Sequence, residues 1–392
     1  MENNQKIIEQ LLNEIEKIKF KPLIGLNNIG ATCFMNSTLQ CLSQTKELSK
    51  YFLDENNKNL IINNNIAVEN RNELQLSPVY FELISQLWDT KNKNPLSPHN
   101  FMNTVEKMNS LFKQGQAGDS KDFIIFILEQ LHKELKKPIN NINNNNNLIN
   151  QPFNQYDKLN AFSYFFKSFT EECSIISDLF FGFIETTNEC LNCKNNYMLS
   201  GLQNPICYNY QIFNCLIFPL EEVKNMKNSN NSLQFNNFIQ MNQNNRVSLF
   251  DCFLHHQKTE YFTGPNQNYC NICKQLYDSN YTTKIYASPN ILVLILNRGK
   301  GNIYDVKLDF TEVIDITQFV LTKDKPQIIY TLYGVITHIG QSGPNAHFVA
   351  SCKSIDNKWY RFNDSIVHPI NNLQKEVIDF GTPYILFYKK YN

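Results

Sequence analysis

The stretch GLNNIGATCFMNSTLQCL, residues 25–42, consists of a turn-forming half followed by a half with helical spacing. Its first half is rich in the turn-forming residues Gly and Asn, whereas the half beginning at Cys33 places Phe34, Leu39 and Leu42 at the spacing of a buried helix face. This change predicts a helix that begins at Cys33. Backbone amides at a helix N-terminus carry partial positive charge, which favours a thiolate over a thiol. Cys33 is therefore a candidate nucleophile, with a buried structural cysteine as the alternative.

A thiolate nucleophile needs a base, which can be distant in sequence and adjacent in the fold. His347 is the best candidate, because the turn-forming residues 343–345 precede it and deliver it to the start of a predicted strand. His338 is the competitor, and we expect it to be a strand-end or core histidine. Asn363 and Asp364 follow the next predicted strand, where either could orient the imidazole or only form a polar turn.

Helical patterns come before strand patterns along the chain. Residues 5–19 carry Ile and Leu at three- and four-residue intervals, and residues 119–135 open with capping Asp and Ser and continue with the same periodicity. From residue 247 onward the pattern changes to short β-rich runs, which include NILVLILN (290–297), TLYGVITHI (331–339), AHFVASCKS (346–354), KWYRF (358–362) and PYILFYKK (383–390). This order predicts an α+β fold with the active site between a helical part and a sheet.

Composition favours a globular protein without a strongly charged partner. The 392 residues are 42% hydrophobic, and 36 basic residues balance 36 acidic ones, so no global field attracts nucleic acid or an anionic membrane. The N-terminus lacks the apolar core of a signal peptide, and no stretch of about 18 apolar residues occurs. We therefore expect a soluble intracellular protein, cytoplasmic or nuclear, without membrane insertion.

Two Asn-rich tracts, at 140–147 and about 225–245, interrupt the chain. Such sequence cannot bury enough apolar area to offset the entropy lost on ordering, so we expect loops or insertions.

The eleven cysteines include two Cys-x-x-Cys pairs. An odd number in a long chain without an export signal favours reduced thiols over a disulfide scaffold. Two such pairs can hold four thiolates around one cation and leave no position for water. The pattern predicts a closed, structural Zn2+ site formed by Cys190, Cys193, Cys270 and Cys273. The other cysteines are expected to be small buried apolar residues: Cys41, Cys173, Cys207, Cys215, Cys252 and Cys352.

Two long motifs carry a family resemblance. GLNNIGATCFMNSTLQCL (25–42) resembles the cysteine box of ubiquitin-specific proteases, and YTLYGVITHIGQSGPNAHFVASC (330–352) with KWYRFNDSIV (358–367) resembles their histidine box. The resemblance implies a papain-like cysteine protease with a helical thumb, a β-rich palm and zinc-bearing β fingers. It places the catalytic domain at 22–390, the fingers at about 183–285, Asn-rich insertions near 137–155 and 225–246, and an N-terminal helical extension at 1–21.

The resemblance also implies roles for individual residues. The nucleophile would be Cys33, the general base and acid His347, the third triad residue Asn363 with Asp364 as a support or substitute, and the residue that stabilises the oxyanion Asn28. The implied reaction is hydrolysis of the isopeptide or peptide bond after the C-terminal Gly of ubiquitin, with ubiquitin and ubiquitinated proteins as partners.

Some positions depart from the family pattern. Ala346 stands where the family has Gly, Ala117 and Gly118 replace a glutamine pair before Asp119, and Asp122 replaces Glu. These departures keep open a zinc-containing ubiquitin-binding module without turnover. The sequence is also compatible with a protease for a ubiquitin-like modifier, and with a scaffold that uses the N-terminal helix and the Asn-rich insertions.

Overall fold

The computed structural model describes residues 22–62, 75–136, 152–200, 206–234, 246–298, 306–322, 326–340 and 346–391. The predicted N-terminal extension, 1–21, lies outside the described residues, as do 137–151 and 235–245 of the Asn-rich tracts. The chain divides into two compact units. The first contains Met1–Leu135 and Leu332–Phe387, and the second contains Lys136–Thr331 and Tyr388–Asn392.

The helices of the described residues are α1 (Cys33–Ser43), α2 (Lys46–Leu53), α3 (Glu55–Ile62), α4 (Ser77–Leu87), α5 (His99–Met108), α6 (Ser120–Glu134), α7 (Lys158–Thr170), α8 (Ile175–Phe180), α9 (Leu191–Ser200), α10 (Leu220–Gln234) and α11 (Leu249–His256). In this part of the chain, no helix is both long enough and apolar enough to span a membrane.

The strands are β1 (Gly182–Cys190), β2 (Ile206–Phe213), β3 (Leu216–Pro219), β4 (Arg246–Ser248), β5 (Thr259–Phe262), β6 (Asn268–Cys270), β7 (Gln275–Tyr277), β8 (Ser279–Ala287), β9 (Ile291–Asn297), β10 (Lys307–Asp309), β11 (Val313–Asp315), β12 (Ile329–Ile339), β13 (His347–Lys353), β14 (Trp359–Asn363), β15 (Ile366–Ile370) and β16 (Thr382–Lys390). The predicted α+β class is confirmed.

The core of the first unit is built around α1, which begins at Cys33 as predicted. Every residue of this helix is buried, because it packs against β13 and β14 and against α6. The Phe34 ring meets Phe123 of α6 edge to face, with 5.6 Å between the ring centroids. Burial of one such side chain contributes about 2–3 kcal/mol. Polar residues on α1 are tolerated because they find partners; Gln40, for example, donates to the Ile24 carbonyl at 2.9 Å.

Helix α6 confirms the capping prediction. The Asp119 carboxylate accepts a hydrogen bond from the Lys121 amide at 2.8 Å, which satisfies one of the free donors of the first turn. Near the other end, the buried Glu134 carboxylate accepts from the amides of Leu76 and Ser77 at 2.8 and 2.7 Å. Helix α4 is thereby joined to α6.

The sheet of the first unit has the strand order β15-β14-β13-β12-β16. Strands β12 and β13 are antiparallel with Ile339 opposite His347, and β13 and β14 are antiparallel with Ala350 opposite Phe362. This register brings the start of β13, which carries His347, beside the end of β14, which carries Asn363.

The second unit contains an antiparallel sheet of order β2-β1-β8-β5, on which α7 packs with aromatic side chains. Phe162 and Phe165 of α7 contact Tyr210, with ring centroids 5.2 and 5.9 Å apart. The local pattern marks strands only from about residue 247 and therefore misses β1–β3, although the family resemblance places β fingers at about 183–285. The Thr, Asn and Glu residues of β1 give it no apolar strand pattern. Pairing with β2 and β8, rather than local sequence preference, stabilises this strand.

Two further local expectations need correction. Helix α11 lies within the region read as β-rich; Leu249, Cys252 and Phe253 bury one helical face of it. The beginning of the second Asn-rich tract belongs to α10, not to a loop. Buried Leu220 and Val223 lie at helical spacing in its first turn, so the helix is anchored before the asparagines begin.

None of the eleven cysteines, all of which lie in the described part of the chain, forms a disulfide. The prediction that those outside the Cys-x-x-Cys pairs are buried is confirmed for Cys41, Cys252 and Cys352 and is wrong for Cys173, Cys207 and Cys215, which are partly exposed. Cys207 lies on β2, the end strand of its sheet, whose first three residues are only partly buried.

Candidate active site

Cys33 is the first residue of α1 and is 9% exposed. The chain enters this helix through Gly30 and Ala31, whose φ angles are 119° and 53°. Asn28 stabilises the turn, because its Oδ1 accepts from the Gly30 and Thr32 amides at 3.2 and 3.0 Å. A left-handed backbone is unfavourable for alanine, so these hydrogen bonds help to hold the loop that presents Cys33.

His347 lies at the start of β13, where its Nε2 is 2.6 Å from Oδ1 of Asn363. A carboxamide oxygen only accepts, so Nε2–H is the donor and this bond selects the tautomer of the ring. The imidazole also forms a hydrogen bond with the Cys33 side chain. Cys33, His347 and Asn363 therefore form one hydrogen-bonded chain within the first unit.

The surroundings of His347 favour its protonated form. The hydrogen bond to Cys33 is the largest influence and raises the pKa of His347 from 6.5 to about 9, against the lowering effect of burial. The hydrogen bond to Asn363 and the charges of Cys33 and Asp364 act in the same direction as the largest influence. The ring is consequently an imidazolium at neutral pH, able to stabilise an adjacent thiolate and to donate a proton.

Asp364 occupies a different position from Asn363. Its Oδ2 is 4.0 Å from His347 Nε2, outside hydrogen-bond range. Its carboxylate instead accepts from Asn28 Nδ2 at 3.0 Å and from Asn36 Nδ2 at 2.8 Å. Asn363 therefore accepts the hydrogen bond from the imidazole, whereas Asp364 joins the loop that contains Asn28 to α1.

His338 is a buried core residue, as expected. It is 3% exposed on β12, and its ring lies edge to face against Phe348, with 5.1 Å between the centroids. The chain of hydrogen bonds at Cys33 runs through His347.

The altered box around Asp119 also lies in the first unit. Besides capping α6, Asp119 accepts a hydrogen bond from the Tyr384 hydroxyl at 2.7 Å. A Cβ at Gly118 would lie only 2.6 Å from the Phe34 ring. Glycine in place of the family's glutamine therefore lets this segment pack directly against the helix that carries Cys33. Ala346 is partly exposed, just before β13.

The four cysteines of the two Cys-x-x-Cys pairs come together in the second unit. Their sulfur atoms all lie within 4.8 Å of one another. The Sγ atoms of Cys190 and Cys273 are 3.9 Å apart, those of Cys193 and Cys270 3.6 Å, and those of Cys193 and Cys273 3.0 Å. Tetrahedral thiolate coordination at Zn–S distances of about 2.3 Å requires sulfur separations of about 3.8 Å. The donor set fits a metal ion; the Cys190–Cys273 and Cys193–Cys270 separations are close to the tetrahedral value, and the Cys193–Cys273 separation is shorter.

The two pairs reach this cluster by different routes. Cys190 ends β1 and Cys193 lies in the first turn of α9, whereas Cys270 ends β6 and Cys273 lies in the following turn. The amide of Cys273 points to Cys270 Sγ at 3.4 Å. The first pair is thus joined by the start of a helix and the second by a tight turn.

Sequence reasoning missed three polar neighbours of these sites: Asn36, Tyr384 and Asn192. Asn36 could have been noticed as an amide one turn after Cys33 in a helix predicted to be buried. Asn192 lies inside CLNC and donates to Cys273 Sγ at 3.3 Å. No local pattern marks Tyr384, because its bond to Asp119 joins residues far apart in the chain.

Known proteins are similar to this chain in sequence and in fold. A family model described as ubiquitin carboxyl-terminal hydrolase matches residues 24–388. Ubiquitin carboxyl-terminal hydrolase 2 of Bos taurus is 27% identical over 375 residues, which cover 94% of this chain and 55% of that protein. Probable ubiquitin carboxyl-terminal hydrolase 4 of Schizosaccharomyces pombe is 24% identical over 389 residues, covering 94% and 58%. The chain thus spans little more than half the length of these relatives.

Two solved structures have the same fold. The SAGA Ubp8/Sgf11/Sus1/Sgf73 DUB module bound to ubiquitin aldehyde matches with a TM-score of 0.63 and 22% identity, covering 95% of this chain and 70% of the matched chain. The Ubp8-Sgf11-Sgf73-Sus1 SAGA DUB module matches with a TM-score of 0.60 and 21% identity, covering 99% and 74%. Since the family model extends over nearly the whole sequence, this chain belongs to the ubiquitin carboxyl-terminal hydrolase family.

Proposed function

We propose that the chain is a cysteine-type deubiquitinase that hydrolyses the isopeptide or peptide bond after the C-terminal Gly of ubiquitin. The observation that carries the proposal is the hydrogen-bonded chain of Cys33, His347 and Asn363 at the start of α1. Membership of the ubiquitin carboxyl-terminal hydrolase family supports the choice of substrate. The similar Ubp8 module bound to ubiquitin aldehyde supports it further.

In the first half of the reaction, the Cys33 thiolate attacks the carbonyl carbon of the ubiquitin C-terminal Gly. A C–S bond forms and the carbonyl electrons move onto oxygen. Asn28 Nδ2 gives one hydrogen to Asp364, which leaves its second N–H for the oxyanion. The His347 imidazolium then protonates the leaving amine, the C–N bond breaks, and a thioester with Cys33 remains.

In the second half, neutral His347 accepts a proton from water as the water oxygen attacks the thioester carbonyl. The tetrahedral intermediate collapses, the C–S bond breaks, and ubiquitin leaves as a carboxylic acid that loses its proton to solvent. Cys33 is regenerated as a thiolate beside the imidazolium. Asn363 acts in both halves by accepting Nε2–H, which keeps the other ring nitrogen directed to the sulfur and the substrate.

We also propose that Cys190, Cys193, Cys270 and Cys273 bind one structural Zn2+. The support is an all-thiolate donor set of tetrahedral size that leaves no ligand position for water. A bound zinc ion would supply folding free energy to the second unit, and the proposed reaction needs no chemistry from it.

The deciding experiment is covalent labelling with ubiquitin that carries a C-terminal propargylamide. Wild-type chain should form a thioether adduct through Cys33, and Cys33→Ala should not. Cys41→Ala is the matched control, because Cys41 is a second buried thiol on the same helix and lies outside the hydrogen-bonded chain. It should label like wild type.

Turnover is measured separately with ubiquitin 7-amido-4-methylcoumarin. Labelling without turnover would identify a ubiquitin-binding protein with a reactive thiol and would refute the proposed hydrolase activity. Preferential labelling by a ubiquitin-like modifier with the same electrophile would instead refute the choice of ubiquitin. Loss of labelling in Cys41→Ala would show that the assay reports folding.

A further inference from the structure

Asn36 is a buried amide that faces the same loop as Cys33, one helical turn later. It is 2% exposed. Its Nδ2 lies 2.8 Å from Asp364 Oδ1 and 3.3 Å from the carbonyl oxygens of both Leu26 and Asn27. A buried donor placed among three acceptors is strongly oriented, since rotation of the amide would leave polar groups without partners.

Asp364 receives this contact in a constrained backbone. Its φ angle is 49°, and its carbonyl accepts from the Leu26 amide at 2.9 Å. A Cβ at Gly25 would overlap the backbone of Ser365, so the segment before Asn28 lies directly against the turn that carries Asp364. These backbone contacts restrict movement of the Asp364 carboxylate, which therefore acts as a fixed hydrogen-bond acceptor.

The second carboxylate oxygen of Asp364 accepts from Asn28 Nδ2 at 3.0 Å. Asn28 is thus held at both ends of its amide: Nδ2 by Asp364 and Oδ1 by the amides of Gly30 and Thr32. The three side chains form a continuous path from Asn36 through Asp364 to Asn28. Displacement of the carboxylate would rotate the donor that the proposed reaction directs at the oxyanion.

We propose that Asn36 is a positioning residue for acyl transfer, which holds the Asp364 carboxylate so that Asp364 orients Asn28 toward the oxyanion. The inference rests on the proposed function and adds a residue to it. Asn36 touches neither substrate nor sulfur in this scheme, and it acts only through its neighbour.

Gln40 provides a matched control. It lies one turn further along α1, is also 2% exposed, and donates to the Ile24 carbonyl at 2.9 Å. It therefore tethers α1 to the same preceding segment without contact to the carboxylate. A purely structural role of Asn36 predicts similar behaviour of the two residues, whereas a positioning role does not.

The test measures kcat and KM with ubiquitin 7-amido-4-methylcoumarin, and the alkylation rate of Cys33 by iodoacetamide. Asn36→Ala removes the donor, and Asn36→Leu removes it at nearly constant volume. We expect kcat to fall about 10- to 100-fold with KM changed by less than about 2-fold, as for a misplaced catalytic group. Alkylation builds no oxyanion, so its rate should stay at the wild-type value.

Rates are expressed per chain that ubiquitin propargylamide labels at completion, because this adduct requires a folded ubiquitin-binding site. Gln40→Ala should keep the wild-type kcat although its thermal midpoint falls. In an Asn28→Ala background, Asn36→Ala should cause little further loss of kcat, because the residue it acts on is already missing.

Three outcomes would overturn the inference: wild-type kcat in both Asn36 variants, an equal slowing of alkylation and hydrolysis, or an undiminished effect of Asn36→Ala in the Asn28→Ala background. Failure of the wild-type chain to hydrolyse the ubiquitin substrate would overturn the proposed function and this inference together. An active wild-type chain with unaffected Asn36 variants would overturn the inference alone.

Discussion

Replacing Cys33 by alanine should lower the pKa of His347. The hydrogen bond to Cys33 is the largest influence that raises this pKa from 6.5 to about 9, and the charge of the sulfur adds to it. In Cys33→Ala both effects vanish, while burial continues to favour the neutral ring. The hydrogen bond to Asn363 and the charge of Asp364 remain and still favour the imidazolium, so the pKa should fall part of the way toward 6.5.

The size of the change can be worked from the contacts. The interval between 6.5 and about 9 corresponds to about 3 kcal/mol in favour of the imidazolium. The His347 side chain is 32% exposed, and solvent screening reduces the effective interaction to about 1–2 kcal/mol. The substitution should therefore lower the pKa of His347 by about 0.7–1.5 units.

The assay is an NMR titration of the imidazole Cε1–H signals. The chain contains seven histidines, and His347→Gln identifies the signal of interest by its absence. Cys41→Ala should leave that signal unchanged. A His347 pKa below about 7 in the wild-type chain, or one that Cys33→Ala leaves in place, would refute the proposed thiol–imidazole pairing.

The same shift fixes the sign of the pH dependence. A raised pKa means that the proton stays on His347 as pH increases and is lost only near about 9. The imidazolium supplies the proton for the leaving amine, so hydrolysis of an isopeptide-linked substrate should decline on the alkaline side at about that pH. An alkaline decline centred near 6.5 would contradict this assignment.

Three other substitutions test separate features of the structure. Cys190→Ser removes one of four clustered thiols; bound zinc, measured by mass spectrometry of the metal, should fall below one ion per chain, and the thermal midpoint should fall because metal binding contributes to folding. Gly118→Ala places a methyl group against the Phe34 ring and should lower the free energy of unfolding by about 1–3 kcal/mol in urea denaturation. Tyr384→Phe removes the hydroxyl that Asp119 accepts from and should lower the same quantity by about 1 kcal/mol. Unchanged zinc content, or unfolding free energies equal to that of the wild-type chain, would contradict the corresponding contact.

Elements with strong local periodicity could be predicted from sequence. Helix α1 begins at Cys33 and α6 follows its cap Asp119, because spacing and capping chemistry act within a few residues. Strands β9, β12, β13, β14 and β16 coincide with the predicted apolar runs. The local pattern does not mark strand β1, which lies in the β fingers that the family resemblance implies, because its polar residues are stabilised by pairing with β2 and β8, which follow later in the chain.

The amino-acid sequence by itself determined the chemical groups of the candidate site: a thiol at a helix start, a histidine at a strand start, an Asn-Asp pair, and four cysteines in two pairs. It could not decide which member of the Asn-Asp pair contacts the imidazole. The positive φ of Asp364 turns the chain after β14, so Asn363 faces His347 while Asp364 reaches Asn28 and Asn36. Two adjacent residues thus have different hydrogen-bond partners. Hydrogen bonds between distant segments depend on the packed backbone and leave no local pattern in the sequence.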